Sequence, residues 1–279
     1  NKTHENVIHQ IARGQNTSVQ VELQSIAEHQ KSFEFLKEAL SETPYKNRIK
    51  YSENQQGKFM DVRDAISTAS CFDTSNYPLR RFNSIHPTQS ATGRQFLLKR
   101  FVDMYDKQVK TGELSEYEAM KHIIVDILRL RDIIRKDGPK AHNALGGRAG
   151  SINYIKSHDK LTEFPMLDPE KDSNNGDKVQ SGVIYAKDEL LKGVLFPIIA
   201  SFRCLTIKDT NGYYRWDRDF KEVIEIWNDV KLTIMSHIRE RGKEVQNSPD
   251  AIAKSQAIWQ QNITEVALTS GTLDKFETS

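Results

Sequence analysis

The chain has almost no net charge: 40 Lys and Arg stand against 38 Asp and Glu in 279 residues, a formal +2. A whole-molecule pull towards nucleic acid or an anionic membrane is therefore excluded, and any such contact must come from local asymmetry. Cysteine is nearly absent. Cys71 and Cys204 lie far apart in apolar surroundings, which predicts buried free thiols rather than a disulfide and fits a reducing, cytoplasmic compartment. Long apolar runs are missing as well. The most apolar stretch, Val194 to Ala200, is broken by Pro197 and falls far short of the roughly 20 residues a membrane helix needs, so no membrane partner is expected. With 14 Gly and 8 Pro the chain is neither fibrous nor of low complexity, and 37% hydrophobic residues suffice for a sizeable core. An initiator Met and a charged-then-apolar leader are also missing, which leads us to expect a processed product or a fragment of something longer.

What the chain has is helical periodicity. Val7, Ile8, Ile11 and Ala12 mark a short first helix that Gly14 ends, and residues 24–41 carry a broad apolar stripe of Ile26, Ala27, Phe33, Leu36, Ala39 and Leu40. Ile49 to Tyr51 reads as a short strand, and Phe59, Val62, Ala65, Ile66 and Ala69 as a helix with Asp61 and Asp64 near its start. Residues 73–92, rich in Ser, Thr, Asn and Pro, read as a surface loop. A helix along Phe96 to Tyr105 should close at Gly112. Ser115-Glu-Tyr-Glu118 is a capping box, predicting a helix through Met120, Ile123, Ile124, Ile127, Leu130 and Ile134 that Gly138-Pro139 terminates.

Residues 157–182 are polar and poor in apolar residues, the best linker or long loop of the chain. After it, a helix from about Lys187 to Thr206 is apolar nearly all round, and Asn211-Gly212 is a turn. A helix from Asp219 through Trp227 and Ile238 should end at Arg239, Arg241 and Gly242, and a last one should start at Ser248-Pro249 and pass through Trp259 and Val266. The fold class is thus mainly α, a multi-helix bundle with at most a few short strands. We expect a helical subdomain over 1–156, a linker over 157–182 and a C-terminal helical subdomain over 183–279.

No catalytic motif emerges. The histidines are scattered, and His4 and His9 lack the spacing of two metal ligands on one helical face, so no metal site or cofactor is predicted. The carboxylates sit at spacings of solvated helix faces. Pro165-Met-Leu-Asp168-Pro-Glu170-Lys171 distantly resembles a Mg²⁺-nuclease pattern, but its spacing is wrong. Gly146 to Ser151 lacks the Gly-Lys-Ser/Thr ending of a phosphate-binding loop and reads as a connector.

The strongest electrostatic signal lies in residues 121–160, with nine Lys and Arg against four Asp. Arg129, Arg131, Arg135 and Lys136 lie on one helix, and Lys140 and Arg148 carry the charge into the glycine loop, an arrangement able to follow a phosphate backbone. A solvated basic face is the competing reading, since three of the aspartates can pair locally and no aromatic residues interleave as stacking platforms. Near the start, Gln15 to Ser18 place hydrogen-bonding side chains ahead of a helix N-terminus, where free backbone donors suit an anion.

Four segments, in order, resemble the abortive-infection phage-resistance (AIPR) family of bacteria. They are Gly14-Gln-Asn16-Thr17-Ser18-Val19 to Leu23, Met60 to Ile66, Ile85-His86-Pro87-Thr88 to Gly93-Arg94, and Ala253 to Trp259. An upstream Asn-Gly-x-Gln-Thr element of the family is absent, consistent with a C-terminal portion of a longer protein. The resemblance implies a part in bacterial defence against phage and marks Asn16, Thr17, Ser18, His86, Pro87, Gly93 and Arg94 as family-motif positions. Three roles stay open: a helical recognition or scaffold portion contacting nucleic acid, a Mg²⁺-dependent nuclease, and a scaffold that binds a partner protein or itself.

Overall fold

The computed structural model describes residues 33–41, 43, 46, 49–51, 60–73, 91–145, 154–156, 188–190, 192–245 and 256–274. Among them, eight α-helices and three two-stranded sheets occur, in keeping with a mainly α fold. The helices are α1 (Glu34–Leu40), α2 (Val62–Ser70), α3 (Ala91–Thr111), α4 (Glu116–Ala119), α5 (Ile124–Ala144), α6 (Lys192–Ser201), α7 (Phe220–Val245) and α8 (Gln256–Ser270). Strands β1 (Ile49–Lys50) and β2 (Met60–Asp61) pair in parallel, β3 (Tyr154–Lys156) and β4 (Asp188–Leu190) antiparallel, and β5 (Thr206–Lys208) and β6 (Tyr214–Trp216) antiparallel.

Helix α5 is the hub. It packs against α1, α2, α6, α7 and β4, while α8 lies against α6 and α7. One cluster of buried side chains runs from Phe33 to Val266, so the described helices on both sides of residues 157–182 share a core. The apolar periodicity of the sequence explains this directly: Met120, Ile123, Ile124, Ile127, Leu130 and Ile134 are all buried, as are Leu195, Phe196, Ile198 and Ile199 of α6. Both cysteines are free thiols, Cys71 buried and Cys204 partly so. No helix among the described residues is long and apolar enough to cross a membrane.

Several boundaries differ from expectation, each for a physical reason. Met60 and Asp61 belong to β2, so α2 starts only at Val62. Ala91 and Thr92 begin α3 instead of ending a loop. The capping-box helix is two helices, α4 and α5, separated by a turn. Ser115 Oγ does accept from the Glu118 amide (3.1 Å), but the Ser115 amide donates to Gln108 Oε1 (3.0 Å), and Glu118 turns instead to Lys121. Gly138-Pro139 does not stop α5: both residues are buried, and packing of Ala141 and His142 beyond them outweighs the one hydrogen bond that proline removes. Residues 188–190 and 206–208 are strands, which trims the expected helix to Lys192–Ser201 and a 3-10 turn, Phe202–Leu205. Gly242 likewise fails to end α7, since an interior glycine costs a helix only about 1 kcal/mol. Gly112, with φ +72°, closes α3 as expected.

Replacing Ser115 with Ala removes the side-chain acceptor of the Glu118 amide at the α4 N-terminus. A loss of about 1 kcal/mol is expected in urea denaturation, with Ser115→Asp restoring most of it; an unchanged midpoint for Ser115→Ala would show that the cap is dispensable.

Candidate functional site

The segment Lys208-Asp-Thr-Asn-Gly-Tyr-Tyr-Arg-Trp216 joins β5 to β6 around a tight turn. Asp209 O accepts from the Gly212 amide (2.9 Å), and Asp209 N donates to Tyr213 O (2.9 Å). The Asp209 carboxylate also takes the amides of Asn211 (2.9 Å) and Tyr213 (3.0 Å), and Gly212 supplies the φ of +81° that other residues resist. Strand alternation then sends Tyr214 and Trp216 to one face of the hairpin and Arg215 with Ile207 to the other.

The inward face locks the hairpin to α4 and α5. Tyr214 donates its hydroxyl to Glu116 Oε2 (2.7 Å), Lys208 pairs with Glu116 Oε1 (2.8 Å), and Trp216 Nε1 donates to Asp126 Oδ2 (3.1 Å). Trp216 packs edge-on against Phe72 and lies beside Phe220, whose ring carries the Arg129 guanidinium 5.7 Å from its centroid.

The outer rim gathers cations and rings from segments about 90 residues apart in sequence. Lys121 Nζ lies 4.5 Å from the Tyr213 ring centroid, and the His122 imidazole stands edge-on to the same ring at 5.0 Å. Lys208 Nζ lies 4.8 Å from the Tyr214 centroid. Each cation also has a carboxylate: Lys121 with Glu118 (3.8 Å), Lys208 with Glu116 (2.8 Å), and Arg215 with Asp209 (3.3 Å). The His122 pKa is lowered by desolvation first and then by Arg215 and Lys121, which favours a neutral imidazole at pH 7. The rim is thus aromatic and polar, with its charges balanced in pairs.

Burial raises the Asp126 pKa, against the Trp216 hydrogen bond and Arg129, which lower it. The folded state therefore holds this proton to higher pH than the unfolded chain. Ionised Asp126 subtracts from stability at neutral pH, and that penalty fades as pH falls through the folded pKa. Asp126→Asn keeps an acceptor for Trp216 and is expected to melt no lower than wild type at pH 7, with its advantage shrinking towards about pH 4. A lower melting temperature at pH 7 would show that the carboxylate charge itself is required.

The basic run of α5 is divided by the fold. Arg131 and Arg135 are 1% and 3% exposed, with Arg131 Nη1 2.6 Å and Arg135 Nη1 3.9 Å from Asp132 Oδ1. Their guanidinium groups are held in the interior. Arg129 and Lys136 are half-buried, and Lys140 is exposed beside Asp137 (3.4 Å). Gly93 and Arg94 fall in the first turn of α3, whereas Asn16, Thr17, Ser18, His86, Pro87, Arg148, the glycine loop 146–151 and residues 157–182 lie outside the described residues. Among the described residues, no group of three or more His, Cys, Asp or Glu is placed to hold a metal ion.

The one stacking platform at the rim, Tyr213, comes from outside residues 121–160, whereas Tyr214 is buried and Trp216 faces Phe72. The hairpin that carries them had a local signal, an Asn-Gly turn between alternating aromatic and basic residues. The meeting of Tyr213 with Lys121 and His122 had none.

A family model described as AIPR protein matches residues 1–257 of the chain. No curated protein and no solved structure matches it.

Proposed function

The chain belongs to the AIPR protein family, and from that premise we propose that it acts in abortive-infection defence against phage as a helical recognition and scaffold module; the match over residues 1–257 gives no support to the expected C-terminal portion. Its ligand in this reading is single-stranded nucleic acid, taken at the rim formed by Lys121, His122, Lys208, Tyr213 and Arg215. The observation that carries the proposal is Tyr213, a ring set between Lys121 and His122. Base stacking beside a cation is how single strands are held without sequence readout. Arg129, Lys136 and Lys140 of α5 are further phosphate contacts of the proposal, and Arg148, outside the described residues, is left without a place in it.

Pairing of every rim cation with a carboxylate favours a second reading, a partner protein or second copy with mixed charges on its surface. Fluorescence anisotropy with a labelled single strand separates the two. With about six phosphates neutralised, three at the rim and three along α5, the slope of log K against log salt should be about −4, and Tyr213→Ala should weaken binding about 5- to 150-fold while Tyr213→Phe leaves most of it. Absence of binding at low salt would reject the nucleic-acid reading and leave the protein partner.

A further inference from the structure

Beyond the rim, the 3-10 turn between α6 and β5 points one arginine into the interior. Arg203 is 3% exposed, and none of its Nε, Nη1 and Nη2 atoms has a hydrogen-bond partner. A guanidinium presents five N–H donors in a planar fork, and burying such a group without acceptors is strongly unfavourable. Its electrostatic neighbours are Tyr214 on β6, Asp73 and Cys71 just beyond α2, and Cys204 beside it in the turn. Tyr214 already gives its hydroxyl to Glu116, and the Cys204 thiol donates to Ser201 O (3.3 Å). Burial draws the Arg203 pKa down to about 10, with Tyr214 and Asp73 opposing the fall.

A second orphan lies at the same end of α2. Ser67 is 1% exposed and its Oγ has no partner, while its carbonyl takes Ser70 Oγ (2.7 Å) and Cys71 Sγ (3.5 Å). Ser70 and Asp73 are also buried, so this end of α2 is polar, and Asp73 and Cys71 there are electrostatic neighbours of Arg203. We propose that Arg203 anchors a buried site for a small oxyanion group, carboxylate or phosphate, enclosed by the end of α2, the 3-10 turn and β6. Two oxygens of such a group match the guanidinium fork bidentately, which one water does not.

The test uses the dialysed full chain, melted in rising inorganic phosphate, in rising acetate, and in chloride at equal ionic strength. Wild type is expected to gain on the order of 5 °C at about a hundredfold excess of the binding anion over its Kd. Arg203→Met should lose that gain and, without anion, melt no lower than wild type, because an unpaired buried charge has been removed. Arg203→Lys, which keeps the charge and loses the fork, should respond more weakly, whereas Tyr213→Ala should keep the full response and so separates this site from the rim. The phosphate and acetate arms tell which anion is taken, and native mass spectrometry detects one retained through purification. Wild-type melts flat in both anions together with a bare mass, or an undiminished response in Arg203→Met, would overturn the proposal.

Discussion

Asp132→Ala is expected to destabilise the protein by about 3–5 kcal/mol, a large fraction of the roughly 5–15 kcal/mol that holds a domain folded. Asp132 is 2% exposed on α5 and takes Arg131 Nη1 at 2.6 Å, with Arg135 Nη1 at 3.9 Å from the same oxygen. Removing the carboxylate takes the anion away from two buried guanidinium groups, and the desolvation already incurred by those cations is then far less compensated. A contrasting substitution sharpens the expectation. Arg131→Met and Arg135→Met combined with Asp132→Leu remove all three charges and should cost much less than Asp132→Ala alone, because well-packed apolar residues can replace a buried ion triad at little loss. Urea denaturation of the three chains reads both effects; a shift below about 1 kcal/mol for Asp132→Ala would place these groups in contact with water.

Trp227→Ala is expected to cost a comparable amount, about 3–5 kcal/mol, through the cavity it leaves. Trp227 is fully buried on α7, the helix that packs on both α5 and α8, and its ring lies edge-on to Phe202 at 6.3 Å. Its Nε1 has no hydrogen-bond partner, so the residue's contribution is that of a large apolar body carrying an unsatisfied donor. Trp227→Phe keeps most of the body and discards the donor, and should therefore cost well under half as much. Equal losses for the two variants in thermal melts would show that the indole N–H is satisfied in solution.

The helices were legible because their apolar residues repeat at helical spacing: Ile123 to Ile134, Val223 to Ile238 and Trp259 to Val266 all pack as that spacing implies. Ends were less legible. Pro139 and Gly242 carry breaker chemistry, yet the helices pass through them: Ala141 and His142 beyond Pro139 are buried, and an interior glycine costs a helix only about 1 kcal/mol. In the basic run the fold departs from the sequence reading at Arg131 and Arg135, which are buried. Leu128, Arg131, Arg135 and His142 share a heptad-like spacing with Ile124, so the arginines follow an apolar stripe into the interior of a helix packed on several sides. That spacing was visible in the sequence; the number of elements surrounding α5 was not. The rim at Tyr213 was illegible for a different reason, because Lys121 and His122 reach it only through the packing of a distant hairpin on α4 and α5.

Recognition is proposed at this rim, while Arg131 and Arg135 are held in the core. Hydrogen exchange of the full chain, with and without a bound single-stranded oligonucleotide, tests it most directly. Slowed exchange is expected in residues 206–216 and 120–123, with residues 130–135 slow in both states. Protection confined to α5, with the hairpin unchanged while the oligonucleotide is bound, would contradict it.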